Sequence, residues 1–127
     1  VFDRFRPAVE VARLLASADL LVHAGDQETF GLVILEAMAS GTPVVAVAAG
    51  AFREIVDPAC GQLCAPGDGL AMASAVHQVF ERGVTPLGLA ARRHVEQHYS
   101  WDSVVSGLLE HYRAVLGYSD LPVRAHA

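Results

Sequence analysis

One stretch of this sequence carries the residue types of a ligand site. It runs Glu28-Thr29-Phe30-Gly31-Leu32-Val33-Ile34-Leu35-Glu36. Between Glu28 and Arg53 the only charged residue is Glu36, in a helical stretch otherwise apolar or small. A carboxylate between two buried strands is costly without hydrogen-bond donors, although most helical glutamates are simply solvated. The pattern predicts a helix beginning near Phe30 with Gly31 in its first turn. Free backbone N–H groups at such a start suit a phosphate, and a glycine leaves room for close approach. Glu28 stands just before that turn and Glu36 about two turns into the helix. At about 1.5 Å per residue the two carboxylates flank the helix start at about the span of a nucleotide sugar. They would repel a bare phosphate, but they accept hydrogen bonds from the hydroxyls of a ribose and a sugar.

Short elements must position these groups. Residues 7–18 read as a helix, since Val11, Leu14, Leu15 and Ala18 recur at helical spacing and Pro7 is allowed in a first turn. Residues 19–23 form a short apolar run of strand length, 24–27 a loop, and 28–40 an apolar helix with Gly41 as C-cap. Residues 43–47 are β-branched and uncharged, hence a buried strand. Residues 52–56 suit one or two helical turns, and 62–64 a brief edge strand. Asp68 caps a helix to about Arg82, ended by Gly83. Thr85-Pro86 reads as an N-cap and first helical residue, opening a helix to about Tyr99. Ser100 caps a last helix from Trp101 to Leu116, closed by Gly117.

Alternating helix and strand with short connections predicts an α/β class. The expected fold is a Rossmann-like parallel sheet with flanking helices and an all-helical C-terminal third. Two strong strands and one weak one make a thin sheet, so the first part of the domain is expected upstream of Val1.

Composition narrows the function. The chain has 127 residues, 53% hydrophobic and 18% charged, which excludes intrinsic disorder and allows one domain. Its net charge of −5, without a basic block, argues against nucleic acid as a partner. There is no lysine, which excludes a Walker-type phosphate lysine and a Schiff base. No apolar run reaches the length of a transmembrane segment, about 18–20 residues, and residues 1–7 do not read as a signal peptide. Two cysteines build no disulfide framework, so a cytoplasmic setting is expected.

Residues 18–23, then Glu28 to Ala46 with Gly41-Thr42-Pro43 leading into the second strand, resemble the retaining nucleotide-sugar glycosyltransferases of family 4. These are the "group 1" transferases with the GT-B fold, and Glu28 and Glu36 match their E-x7-E motif. Residues 50–54, 61–63 and the Ser100-Trp101 helix follow in the family's order, so the resemblance runs to about Gly117. It implies that residues 1–117 are a partial, N-terminally truncated C-terminal lobe that binds the donor, with 118–127 a flexible tail. It implies that Glu36 holds ribose hydroxyls and that Glu28 is the catalytic carboxylate contacting the donor sugar. The amides of Phe30, Gly31, Leu32 and Val33, beside Thr29, would hold the diphosphate. No metal or cofactor is implied. The donor would be a GDP- or UDP-linked sugar, transferred with retention by attack on the face of the departing phosphate. The missing N-terminal lobe would supply the acceptor site, and the fragment alone would be inactive and prone to self-association. A location at the inner membrane face would come through that missing lobe.

The sequence also departs from the family. Gly50-Ala51 stands where a Gly-Gly pair is usual, and the loop before Glu28 reads His23-Ala24-Gly25-Asp26-Gln27 instead of containing Pro-Ser. That loop is similar to a subset that includes GDP-mannose-dependent mannosyltransferases. The basic diphosphate clamp and much of the base pocket are expected upstream. His23 and Glu54 are second-rank site candidates, at the edge of the sheet where ligands sit. His94 and His98 are four apart, as a zinc pair can be, but Glu96 between them does not give the metalloprotease order H-E-x-x-H, and with Arg92-Arg93 they read as solvated surface. Cys60 and Cys64 read as small core residues, and Trp101 and Tyr112 as core contacts of the last helix. Two other readings stand beside the transferase: a stand-alone nucleotide-binding or interaction module without catalysis, and a GT-B nucleotide-sugar epimerase.

Overall fold

A computed structural model describes residues 6–117. Its elements are α1 (Ala8–Ala16), β1 (Leu21–His23), α2 (Leu32–Ala39), β2 (Val44–Val47), α3 (Phe52–Ile55), β3 (Gly61–Cys64), α4 (Gly69–Arg82), α5 (Val84–His98) and α6 (Trp101–Leu116). The expected tail, 118–127, lies outside the described residues, as do residues 1–5.

The three strands lie in the order β1-β2-β3, all parallel. Leu21 pairs with Val44, and Val44 in turn with Gly61. Central β2 is buried along its whole length. That is why it reads as an uninterrupted apolar run, since a parallel strand is covered on both faces. On β1, at the sheet edge, Val22 is exposed. The core joins Ile34, Ala37 and Met38 of α2 to β2, to Phe52 and Ile55 of α3, to Ala75 and Val79 of α4, and to Leu87 and Ala91 of α5. Thr42 is the buried polar residue between α2 and β2, and its Oγ1 donates to the Leu15 carbonyl at 2.6 Å. Cys60 and Cys64 are free and buried, as their reading as core residues required.

The described residues up to Glu96 form one compact unit and those from Gln97 a second. In the second, Ser100 Oγ accepts from the Ser103 N–H at the start of α6, and Gly117 ends the helix at φ +70°. Trp101 and Tyr112 are not core residues: Trp101 is 84% exposed, and no residue of α6 is buried. Helical spacing marks an apolar face but does not say whether anything covers it.

Two element starts differ from the sequence pattern. Helix α5 begins at Val84, so Thr85 and Pro86 lie inside its first turn and Thr85 is no cap. The Leu87 N–H reaches the Gly83 carbonyl at 3.5 Å, so the helix grows directly from the glycine that ends α4. Helix α2 begins at Leu32, not near Phe30, because Gly31 holds φ +77°, outside the helical region.

Candidate functional site

Because β1 and β2 are parallel, the loops leaving them emerge at one edge of the sheet, where open α/β folds bind ligands. The β1 loop carries Glu28 and Gly31, and the β2 loop carries Gly50 and leads into α3. The two loops are clamped together by glycines. A Cβ on Gly50 (φ +49°) would lie 2.6 Å from the Glu28 carbonyl oxygen, so the backbones meet where only glycine fits. A Cβ on Gly31 would lie 2.8 Å from Phe52 Cε1 and 3.2 Å from Ile55 Cδ1. The buried side chains of α3 thus press directly on the start of α2. Residue type alone does not mark Gly50 and Phe52 as the residues that join the two loops. A glycine two residues before an aromatic that opens a short helix was the available signal.

Gly31 is the N-cap of α2, and no side chain caps that end. The first donors into the helix are the Ile34 and Leu35 N–H groups, both to the Gly31 carbonyl, at 3.0 and 3.3 Å. The amides of Leu32 and Val33 stand ahead of them in the first turn, where intrahelical acceptors do not reach. Phe30 and Leu32 are exposed apolar side chains beside them, and Thr29 is exposed as well.

Glu28 is half-buried just ahead of this start, and its Oε1 lies 3.7 Å from His23 Nε2. The other ring nitrogen of His23, Nδ1, accepts the Gly25 N–H at 3.2 Å. The ring meets Phe52 edge to face, with centroids 5.0 Å apart and planes at 73°. His23 is therefore joined to Glu28, whereas Glu54 is an exposed residue of α3 that no hydrogen bond or ion pair links to the loop among the described residues. Its neighbour Arg53 is the better placed group. Arg53 Nε donates to the Ala48 carbonyl at 2.7 Å, which sets a guanidinium beside the C-terminal end of β2.

Glu36 is exposed, so the expected cost of burying its charge does not arise. Instead it lines a cleft of about 330 Å³ between α1 and α2, with Val11, Ala12, Ala39 and Ser40. Burial pushes the Cys60 and Cys64 thiols up, with Asp57 and Asp68 adding to the effect, so neither cysteine is an activated nucleophile. Among the described residues no three His, Cys, Asp or Glu side chains gather as a metal site, and no helix is long and apolar enough to cross a membrane.

A three-stranded parallel sheet with flanking helices is the architecture of the C-terminal lobe of GT-B glycosyltransferases, and solved structures of that class superpose on it. The Anabaena protein HepE in complex with UDP-glucose superposes with a TM-score of 0.73 at 29% identity, over 87% of this chain and 31% of that one. The C-terminal domain of a group 1 transferase (LpcC) from Francisella tularensis gives 0.68 at 28% identity, over 79% of this chain and 53% of that one. The profile of the family "Glycosyl transferases group 1" matches residues 3–82, and the chain belongs to that family. Among curated relatives, a GDP-mannose-dependent alpha-mannosyltransferase of Mycolicibacterium smegmatis is 43% identical over 87% of the chain. A D-inositol 3-phosphate glycosyltransferase of Geodermatophilus obscurus is 41% identical over 87%. The chain spans 30% and 25% of those two relatives' lengths.

Proposed function

We propose that this lobe binds a nucleotide-diphosphate sugar, GDP- or UDP-linked, and that the complete protein transfers the sugar to an acceptor with retention of configuration. The observation that carries the reading is the clamped Glu28 loop running into an uncapped α2 start. The Leu32 and Val33 amides, with Phe30 and Gly31 before them, would donate to the diphosphate. Their partial positive charge would stabilise the negative charge that grows on the leaving group. Glu28 would accept from hydroxyls of the donor sugar and hold its anomeric carbon against the acceptor, which enters from the face the diphosphate leaves. Glu36, at the α1–α2 cleft, would hold the ribose. These roles separate the two carboxylates from the phosphates, so their charges read hydroxyls and not the anion. No metal is needed for this scheme, because amides and the Arg53 guanidinium supply positive charge at the same edge. Group 1 membership and the HepE complex with UDP-glucose support the donor class. Two free cysteines suit a cytoplasmic, reducing location.

The test is substitution in the complete protein. Glu36→Ala removes a charged acceptor worth about 1.5–3 kcal/mol, so GDP or UDP affinity by calorimetry falls about tenfold to a hundredfold. Glu28→Ala leaves that affinity in place and lowers turnover about a hundredfold. Unchanged affinity in the first and unchanged turnover in the second would overturn the assignment.

A further inference from the structure

We infer that His23 is a positioning residue for Glu28: a neutral imidazole that holds one carboxylate oxygen and leaves the other for the sugar. The inference rests on the reading of Glu28 as the donor-sugar carboxylate. It starts from the two ends of the ring. Nδ1 accepts the Gly25 N–H, so that nitrogen carries no proton, and the ring proton of the neutral form sits on Nε2. Nε2 is the nitrogen that faces Glu28 Oε1, 3.7 Å away. That is about 0.7 Å longer than a usual N–H···O bond, and such contacts commonly tighten when a site fills.

The ring is fixed on its remaining sides. Phe52, fully buried, meets it edge to face at 5.0 Å, and a Cβ on Gly25 would lie 2.8 Å from the ring's Cε1. The loop thus folds back over the imidazole so closely that a Cβ at Gly25 would have to displace the ring. An apolar side chain would pack on Phe52 equally well. What only imidazole adds is an acceptor at one end for the loop amide and a donor at the other for the carboxylate. Neutrality matters to the chemistry. A neutral donor orients Glu28 without pairing off its charge, so the carboxylate stays a strong acceptor for a sugar hydroxyl. An arginine at this place would tie up both oxygens. The Glu28 side chain stays 38% exposed, which leaves its second oxygen free to meet a ligand, while its backbone is held by the Gly50 contact.

Two substitutions in the complete protein separate the functions of the ring. His23→Asn keeps an acceptor within reach of the Gly25 N–H but has no donor long enough for Glu28. His23→Gln carries its amide nitrogen at the ε position and keeps that donor. Steady-state kinetics with the sugar nucleotide are read beside GDP and UDP affinity and thermal midpoint. The expected result is a kcat lowered about tenfold to a hundredfold in His23→Asn, recovered to within about threefold of the parent in His23→Gln, with nucleotide affinity unchanged in both. In a Glu28→Gln background, His23→Asn should cause no further loss of kcat. Equal kcat in His23→Asn and His23→Gln overturns the inference, whether both match the parent or both fall with the thermal midpoint as a packing role would have it. If Glu28→Gln alone leaves kcat unchanged, the reading of Glu28 fails. If Glu28→Gln is impaired while His23→Asn is not, only the role of His23 fails.

Discussion

Gly31→Ala separates a backbone effect from a packing effect at the candidate site. Gly31 holds φ +77° at the start of α2, and Gly41 holds φ +80° just past its end. Alanine in that left-handed region costs about 1–2 kcal/mol at either position. The surroundings differ. At Gly41 a Cβ meets nothing within 4 Å, whereas at Gly31 it falls 2.8 Å from Phe52 Cε1 and 3.2 Å from Ile55 Cδ1. Phe52 is 0% exposed and has no free space to retreat into, so crowding there adds about 1–3 kcal/mol. Gly31→Ala should therefore cost about 2–5 kcal/mol and Gly41→Ala about 1–2, against a total stability of about 5–15 for a domain. Urea unfolding followed by far-ultraviolet circular dichroism measures both. Trp101 fluorescence is a poor reporter, because its side chain is already 84% exposed in the folded state. Nucleotide affinity gives a second readout: moving the first turn of α2 should weaken GDP and UDP binding at least about tenfold in Gly31→Ala and leave it unchanged in Gly41→Ala. Equal urea midpoints for the two variants would refute the contact between α3 and the start of α2.

Two further outcomes follow from the packing. Gly88→Ala gains about 1 kcal/mol of helix propensity in α5, but its Cβ would fall on the Gly41 carbonyl oxygen, backbone against backbone. The net effect should be a loss of about 2 kcal/mol and a thermal midpoint lower by about 6–10 °C, and a higher midpoint would contradict the close approach. Burial raises the Cys60 and Cys64 thiols, so their contribution to stability is complete below the ordinary thiol range and is lost as pH rises through it toward the folded values. The urea midpoint should fall as pH rises above the ordinary thiol value of about 8.5, and fall less in a Cys60→Ala, Cys64→Ala variant. Parallel falls in both proteins would remove the thiols from the account.

What a residue's near neighbours along the chain decide is legible in the sequence, and what distant residues decide is not. The run Pro43 to Val47 announced a buried parallel strand, because a strand covered on both faces needs no polar alternation. Asp68, Ser100 and Gly117 announced helix ends, because caps act within a few residues of chain. Thr85-Pro86 misled for the same local reason: its cap chemistry was sound, but Gly83 let α5 start earlier. Trp101 and Tyr112 misled because periodicity records an apolar face and not its cover.

The sequence by itself determined the alternation of strand and helix, the family motif, and the pair Glu28 and Glu36 eight positions apart. These depend on neighbours along the chain. Only the tertiary structure decided that Gly31 stands outside α2 as its N-cap, and that Glu36 is a solvent-facing group at the α1–α2 cleft. It alone brought Gly50 onto the Glu28 carbonyl and Phe52 onto both Gly31 and His23. Those contacts join residues about twenty or more positions apart. They exist because parallel pairing of β1 with β2 delivers two loops to one edge, a juxtaposition that no local spacing encodes.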